Sequence, residues 1–151
     1  MNYYFLPGTG IFGGIKVGYQ FTDLLNGLGA HSVVVTPDGR APDWFQSSAP
    51  TLSEDAALAR LTGRDCALFS LPHDYPKLAA LPARLVFHCQ GTDPLIDPVL
   101  ADPRITLLTC WPQAAAYVRE KAGRASLEVG ISVADAFYYR GRPKAPPTVA
   151  Y

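Results

Sequence analysis

The chain has 151 residues, which is enough for one domain with a substantial hydrophobic core. Its 13 basic and 13 acidic residues cancel, and no basic cluster is longer than the RGRPK at positions 140–144, so the charge pattern argues against binding to nucleic acid or to an anionic membrane. We therefore expect partners that are small molecules or other proteins.

The amino-terminal segment and the cysteines indicate the compartment. The segment MNYYFLPG has no charged leader and is interrupted by Pro7, which argues against a signal peptide, and no run approaches the roughly 18 apolar residues of a membrane span. Cys66, Cys89 and Cys110 are far apart and lie in or beside apolar runs. We expect them to be reduced core thiols of a cytoplasmic protein, and neither disulfide partners nor metal ligands.

Predicted strands and helices alternate along the chain. The first three are a strand at 2–6, an amphipathic helix at 15–28 and a strand at 32–36. The later ones are a helix at 53–61 with Ser53 as its N-cap, apolar strands at 66–71, 85–89 and 105–110, and a helix from Pro112 to a stop at Gly123. This alternation predicts a single Rossmann-like three-layer α/β/α domain with a mainly parallel sheet.

A glycine-rich loop joins the first strand to the first helix. FLPGTGIFGGIKVGYQ, residues 5–20, contains G-x-G-x-x-G at Gly8, Gly10 and Gly13, followed by Gly14. In an open α/β sheet this loop is the usual phosphate site, and Lys16 would add positive charge. The alternative is that the glycines only form a tight turn.

A dinucleotide fingerprint also requires an acidic residue at the end of the second strand. Asp38 is the candidate, but it lies in the turn signature PDG, which favours a role in the turn. Pro7 also interrupts the chain before the first glycine. The motif is therefore weak evidence for NAD binding.

Polar residues follow two of the later strands. Gln90, Gly91, Thr92 and Asp93 come directly after the apolar run 85–89, and His73 follows the run 66–71. Carboxyl ends of parallel strands border the ligand crevice, so these residues are candidates to bind a ligand through their amide, hydroxyl and carboxylate groups. The alternatives are that Thr92 or Asp93 caps the next turn and that His73 is an ordinary loop residue.

Other aromatic and histidine side chains have structural interpretations. Trp44 and Phe45 lie in a turn-rich segment, where they would either form an aromatic platform for a ligand or anchor the loop to the core. His88 lies inside an apolar strand and is expected to be a core histidine with satisfied hydrogen bonds. His31 is expected in the turn before the second strand.

The run PGTGIFGGIKVGYQFTDLLNGLGAHSVVVTP resembles the amino-terminal start of GT-B glycosyltransferases of the retaining family four. Their hallmark is a strand, a double-glycine loop, a helix that ends in L-x-x-x-G-(x)-H, and a second strand of type V-x-V-V. The positions that carry the resemblance are Gly13, Gly14, Leu25, Gly29, His31 and the valines at 33–35.

Three later segments follow in the same order. CQGTDPLIDP is similar to the Q-G-T-x-x-x-x-D-P segment of rhamnosyltransferase-like members, and TCWPQAAAYVREKAG is similar to their strand followed by S-P-x-x-A-x-Y-L. The closing VGISVADAFYYRGRPKAPPTVAY resembles the interdomain segment and the first strand of the second domain. Only Asp135 and Phe137 are recognisable there, because the usual N-G-(I/V)-D is not present.

The resemblance implies an acceptor-side half of a glycosyltransferase that moves a sugar from a nucleotide-diphosphate donor to a glycan or other acceptor. Residues 1–140 would be the amino-terminal domain, and 141–151 the linker and start of a carboxyl-terminal donor domain that carries E-x(7)-E. Without that domain we expect no activity and no tightly bound cofactor. We also expect the exposed cleft to find a substitute partner, such as a second copy in a homodimer.

The resemblance implies that Gly13 and Gly14 face the donor phosphate, and Lys16 lies in the first helical turn beside them. Gln90, Gly91, Thr92, Asp93 and His73 are expected to line the acceptor cleft because they follow predicted strands. The resemblance identifies no catalytic residue and no metal ligand. Two other functions remain open from the residues: a small nucleotide- or NAD-binding oxidoreductase domain, and a noncatalytic interaction module that kept the fold.

Overall fold

A single parallel sheet organises the protein. The computed structural model describes residues 1–131, and within them seven strands lie in the order β3-β2-β1-β4-β5-β6-β7, with every neighbouring pair parallel. The strands are β1 Asn2–Phe5, β2 Ser32–Thr36, β3 Thr51–Ser53, β4 Cys66–Phe69, β5 Arg84–Cys89, β6 Thr106–Thr109 and β7 Leu127–Glu128. The helices are α1 Gly13–Gly27, α2 Glu54–Leu58, α3 Tyr75–Ala79, α4 Asp97–Leu100 and α5 Pro112–Ala122, with short 3-10 turns at Pro72–Asp74 and Pro94–Ile96.

Helices cover both faces of the sheet. Alternate residues of β1 point to opposite faces, as the period of two requires: Tyr4 packs in one cluster with Ile15 and Tyr19 of α1, whereas Tyr3 and Phe5 pack in the other. That second cluster includes buried residues of α2 to α5, namely Ala57, Leu78, Val99, Leu100, Ala114 and Val118. The predicted three-layer α/β/α domain with a parallel sheet is therefore confirmed.

Helix α1 lies unusually close to β1 because of a glycine that the sequence analysis did not single out. A Cβ atom built on Gly18 would lie 2.9 Å from Leu6 Cδ2 and 3.1 Å from Tyr4 Cε1. At the other end of α1, the Asn26 side chain donates to the carbonyl of Ser32 and accepts from its amide at 3.0 and 2.8 Å. Both contacts hold the helix against the first two strands.

The predicted helix signals at Ser53 and Gly123 are confirmed. The Ser53 hydroxyl accepts a hydrogen bond from the Ala56 amide at 3.3 Å and caps α2. Gly123 adopts φ 62° and ends α5, a left-handed conformation that costs glycine least. Local chemistry alone was sufficient at both positions.

The sequence pattern did not predict the short elements β3, β7, α3 and α4. The predicted helix at 53–61 is also wrong in its bounds, because Thr51–Ser53 is a strand and the helix covers only Glu54–Leu58. β3 exists because it pairs with Val34, Val35 and Thr36 of β2, a long-range contact that periodicity does not reveal. The predicted linker at 141–151, the boundary at residue 140, and Asp135 and Phe137 lie outside the described residues.

The strand order creates a crevice at the carboxyl ends of two neighbouring strands. The chain leaves β1 toward β2 on one side, whereas β4 lies on the other side of β1 and leads toward β5. The loops that follow β1 and β4 therefore diverge, which is the usual place for a ligand in an open α/β sheet. Among residues 1–131, no helix combines the length and apolarity needed to cross a membrane.

Candidate functional site

A cleft of about 530 Å³ occupies this crevice. Its floor is formed by the buried side chains of Leu6, Ile15 and Ile96. Phe12 and Leu95 stand at its rim with 70% and 71% of their surface exposed. The remaining lining residues are Pro7, Gly14, Ser70, Leu71, Pro72, Gln90, Gly91 and Asp93. The cleft is therefore mainly apolar, with a few polar groups.

The amino terminus of α1 opens beside the cleft. Phe12 is the N-cap residue and provides no side-chain cap, and the amides of Gly13 and Gly14 have no hydrogen-bond acceptor within the described part of the chain. Free amides and the helix dipole at this end both favour a negatively charged or strongly polar ligand group. Gly14 lines the cleft, whereas Gly13 and Lys16 are not among its lining residues.

Gln90 lies directly against this helix terminus. A Cβ atom built on Gly14 would be only 2.9 Å from Gln90 Oε1, whereas the same construction at Gly13 meets nothing within 4 Å. The Nε2 group of Gln90 donates to the Tyr4 hydroxyl at 3.2 Å. Gly14 is therefore the position where the absence of a side chain makes room for Gln90.

A series of buried hydrogen bonds continues from Tyr4 into the core. The Tyr4 hydroxyl is hydrogen bonded to His88 Nδ1 at 2.7 Å, and His88 Nε2 is hydrogen bonded to Cys110 Sγ at 3.1 Å. His88 has no exposed surface. A neutral imidazole has one donor and one acceptor nitrogen, so it can satisfy both partners. The interpretation of His88 as a satisfied core histidine is confirmed.

Burial keeps the side chains of Tyr4, His88 and Cys110 uncharged near pH 7. It lowers the pKa of His88 to about 4, raises the pKa of Cys110 to about 11, and raises the pKa of Tyr4 above its usual value. Of the three free cysteines, Cys89 and Cys110 are buried and Cys66 is half-buried. A buried thiol held in its protonated form is a poor nucleophile. The hydrogen-bonded series of Tyr4, His88 and Cys110 therefore supports Gln90 structurally and supplies no reactive group.

The structure brings together only some of the predicted cleft residues. Gln90, Gly91 and Asp93 line the cleft, whereas Thr92 and His73 do not. Asp93 Oδ1 accepts from the Leu95 amide at 2.8 Å and so caps the turn Pro94–Ile96, which was its alternative interpretation. The His73 ring is exposed and lies 3.6 Å from Asp74 Oδ1.

Trp44 and Phe45 anchor their loop. Trp44 Nε1 donates to the carbonyl of Thr9 at 2.9 Å, and Phe45 packs edge-to-face on Tyr19 with ring centroids 5.3 Å apart. Both rings belong to the core cluster under α1. The contact with Thr9 also supports the glycine-rich loop from below, so these aromatics stabilise the cleft without lining it.

Two features of a dinucleotide site do not match. The third glycine of the fingerprint should allow close packing of helix on strand, but Gly13 lies in open space and Gly18 has that role. Asp38, the candidate for binding ribose, accepts from the Arg40 amide at 3.1 Å and pairs with the Arg40 guanidinium at 3.4 Å. Asp38 therefore stabilises its own turn.

The sequence analysis missed Tyr4 and the apolar wall of the cleft. Ile15 and the pair Leu95–Ile96 gave a weak signal, because apolar residues at the ends of loops border a crevice in this fold.

Comparisons of the chain with protein-family models, with curated proteins and with solved structures found no match. Support for a function therefore comes from the site and from the resemblance of its motifs.

Proposed function

We propose that this chain is the acceptor-side domain of a glycosyltransferase that uses a nucleotide-diphosphate sugar. One observation supports this most directly: at the uncapped start of α1, Gly14 and the carboxamide of Gln90 meet at one cleft. The double glycine and the Q-G-T segment that carry the resemblance thus come together, although they are more than 70 residues apart in the chain.

The arrangement suits the chemistry of glycosyl transfer. Negative charge grows on the leaving diphosphate while the sugar passes through an oxocarbenium-like state. In this proposal the amides of Gly13 and Gly14 donate to that diphosphate, and Lys16 adds positive charge from the first turn of α1. The nucleotide itself is bound by a donor domain that follows this one.

The acceptor occupies the cleft. The Gln90 carboxamide is oriented by Tyr4 and offers both a donor and an acceptor to sugar hydroxyls, and Ser70, Gly91 and Asp93 provide further polar atoms nearby. Thr92 and His73 remain predictions as acceptor contacts, outside the observed cleft wall. No residue is assigned as a catalytic base.

The first test is a titration of the ¹⁵N-labelled chain with methyl glycosides, nucleotide-diphosphate sugars and NAD(H), followed by NMR. We expect weak binding of glycosides, with the largest amide shifts at Gly14, Gln90 and Gly91, and no tight binding of NAD(H). Gly14→Ala displaces Gln90 and should weaken glycoside binding about tenfold, the cost of roughly one lost hydrogen bond to a ligand.

Gly13→Ala is the matched control, because its added methyl group meets no atom within 4 Å. Equal losses in the two variants would remove Gln90 from the site. Tight NAD(H) binding that Gly14→Ala abolishes would favour the oxidoreductase alternative. Glycosides that shift no amide of the cleft would favour the noncatalytic interaction module.

Assembly and location also remain predictions. A homodimer would cover exposed apolar side chains such as Leu127, Val129 and Ile131, which are 61%, 40% and 41% exposed at the β7 end of the described sheet. Sedimentation tests this directly, since a monomer at all concentrations would reject the dimer. The cytoplasmic location is tested by fractionation of cells that express the chain.

A further inference from the structure

We propose that the acceptor of this domain carries an apolar group, an alkyl or aryl aglycone, that occupies the floor of the cleft beside its sugar. This inference depends on the proposed function, because it specifies the substrate of the same site. Its basis is a mainly apolar cleft wall that also holds a small cluster of polar groups.

Apolar side chains form most of the cleft wall. Leu6, Ile15 and Ile96 form a buried floor, and Phe12 and Leu95 rise from separate segments at its rim. An exposed phenylalanine and an exposed leucine that border one concave space are a more specific signal than the same residues scattered over a surface. A ligand that bridges them would remove both from water.

The polar part of the cleft is clustered. Gln90 donates to the Tyr4 hydroxyl, and Ser70 also lies beside that hydroxyl. Gly14, with its free amide, is in contact range of Gln90. This polar cluster therefore suits a sugar, and the apolar side chains of the wall suit hydrocarbon.

Size and charge narrow the ligand class. The volume of about 530 Å³ lies within the range of small-molecule sites and exceeds what a single monosaccharide requires. Asp93 is the only charged residue of the described cleft wall, and its carboxylate is engaged in capping. Because this carboxylate is engaged and the other polar groups of the described wall are uncharged, a neutral glycoside with an apolar aglycone suits the cleft.

The test is a chain-length series of alkyl glycosides, from methyl to octyl, titrated below their critical micelle concentrations and measured by calorimetry and NMR. Each added methylene that enters the cleft should tighten binding about fourfold until the floor is filled. The n-alkanols of the same lengths are measured in parallel and should bind at least tenfold more weakly than the glycosides.

Variants of the rim locate the effect. Phe12→Ala and Leu95→Ala should each weaken octyl glycoside binding about five- to tenfold and leave methyl glycoside binding unchanged. The matched controls are Ile11→Ala, next to Phe12, and Leu28→Ala, just beyond the far end of α1; these residues are 78% and 76% exposed and do not line the cleft. Neither control should change binding.

The outcomes separate this inference from the proposed function. Affinity that is independent of chain length, with amide shifts at Gly14 and Gln90, would overturn the apolar aglycone and retain the acceptor site. Alkanols that bind as tightly as glycosides would overturn both, because the polar cluster would then recognise no sugar. Equal losses in the rim variants and their controls would also overturn the inference.

Discussion

Mild acid should destabilise the protein through one buried side chain, His88. The ring has no exposed surface, packs against Phe21 at 4.9 Å between ring centroids, and has Tyr4 and Cys110 as its two hydrogen-bond partners. Both partners are neutral near pH 7, because burial raises their pKa values. No carboxylate among these contacts compensates a positive charge, so protonation is favoured in the unfolded chain.

The magnitude follows from the two pKa values of the ring. Its ordinary value is 6.5, and in the folded protein it falls to about 4. Between these values the unfolded state binds the proton and the folded state does not, so stability is lost as the pH falls. The full difference corresponds to about 3 kcal/mol, of which about 2 kcal/mol should be lost between pH 7.5 and pH 5.

Urea unfolding at half-unit steps from pH 7.5 to pH 5, followed by tryptophan fluorescence, measures this loss. The range ends at pH 5 because Asp65, whose pKa is lowered to about 2 mainly by a hydrogen bond from the terminal amine, begins to contribute below it. His88→Gln should flatten the dependence. His31→Gln and His73→Gln, both at exposed positions, are controls that should retain it.

A second readout uses the wild-type chain. The imidazole nitrogen shifts of His88 should stay those of a neutral ring down to pH 5. A ring that titrates near its ordinary pKa, or an acid-dependent loss of stability that persists in His88→Gln, would refute the assignment.

Three further substitutions should lower the free energy of unfolding, each measured by urea denaturation. Tyr4→Phe removes the hydroxyl that accepts from Gln90 and should cost about 1–3 kcal/mol. An unchanged free energy of unfolding would contradict a stabilising role for the buried hydrogen bonds of Tyr4. Gly18→Ala should cost about 1–3 kcal/mol because its methyl group meets β1, whereas Gly27→Ala, in open space, should be neutral or stabilise by up to about 1 kcal/mol. Arg124→Lys should cost about 1–3 kcal/mol, since the guanidinium donates to four backbone carbonyls of the α4–β6 segment at 2.6–3.3 Å. A lysine ammonium has three donors and cannot form all four hydrogen bonds. Equal stability would show that these bonds add nothing.

Much of the fold could be predicted because its signals are local. The apolar, β-branched run SVVVT predicted a strand with the observed bounds, and all five of its residues are buried in the sheet. Ser53 and Gly123 mark helix ends through their own side-chain and backbone chemistry. The short strand Thr51–Ser53 could not be found in this way, because three residues form a strand only when a neighbouring strand pairs with them.

The residues of the candidate site were likewise only partly predictable from the sequence. Gly14, Gln90, Gly91 and Asp93 were candidates because each follows a predicted strand, and strand ends border the crevice in this fold. Thr92 and His73 follow strands as well, yet neither lines the cleft. Position after a strand therefore identifies the region of the site but not the side chains that enter it.

By itself, the sequence determined the fold class, the order of the main strands and helices, and the loops that would border a ligand. These depend on periodicity, apolar runs and turn residues within short segments. Only the tertiary structure decided that Gln90 lies against Gly14, that Tyr4 and His88 support it, and that Phe12 and Leu95 face one cleft. Those contacts join residues up to 86 positions apart, as between Tyr4 and Gln90, which come together because only β4 separates β1 from β5 in the sheet.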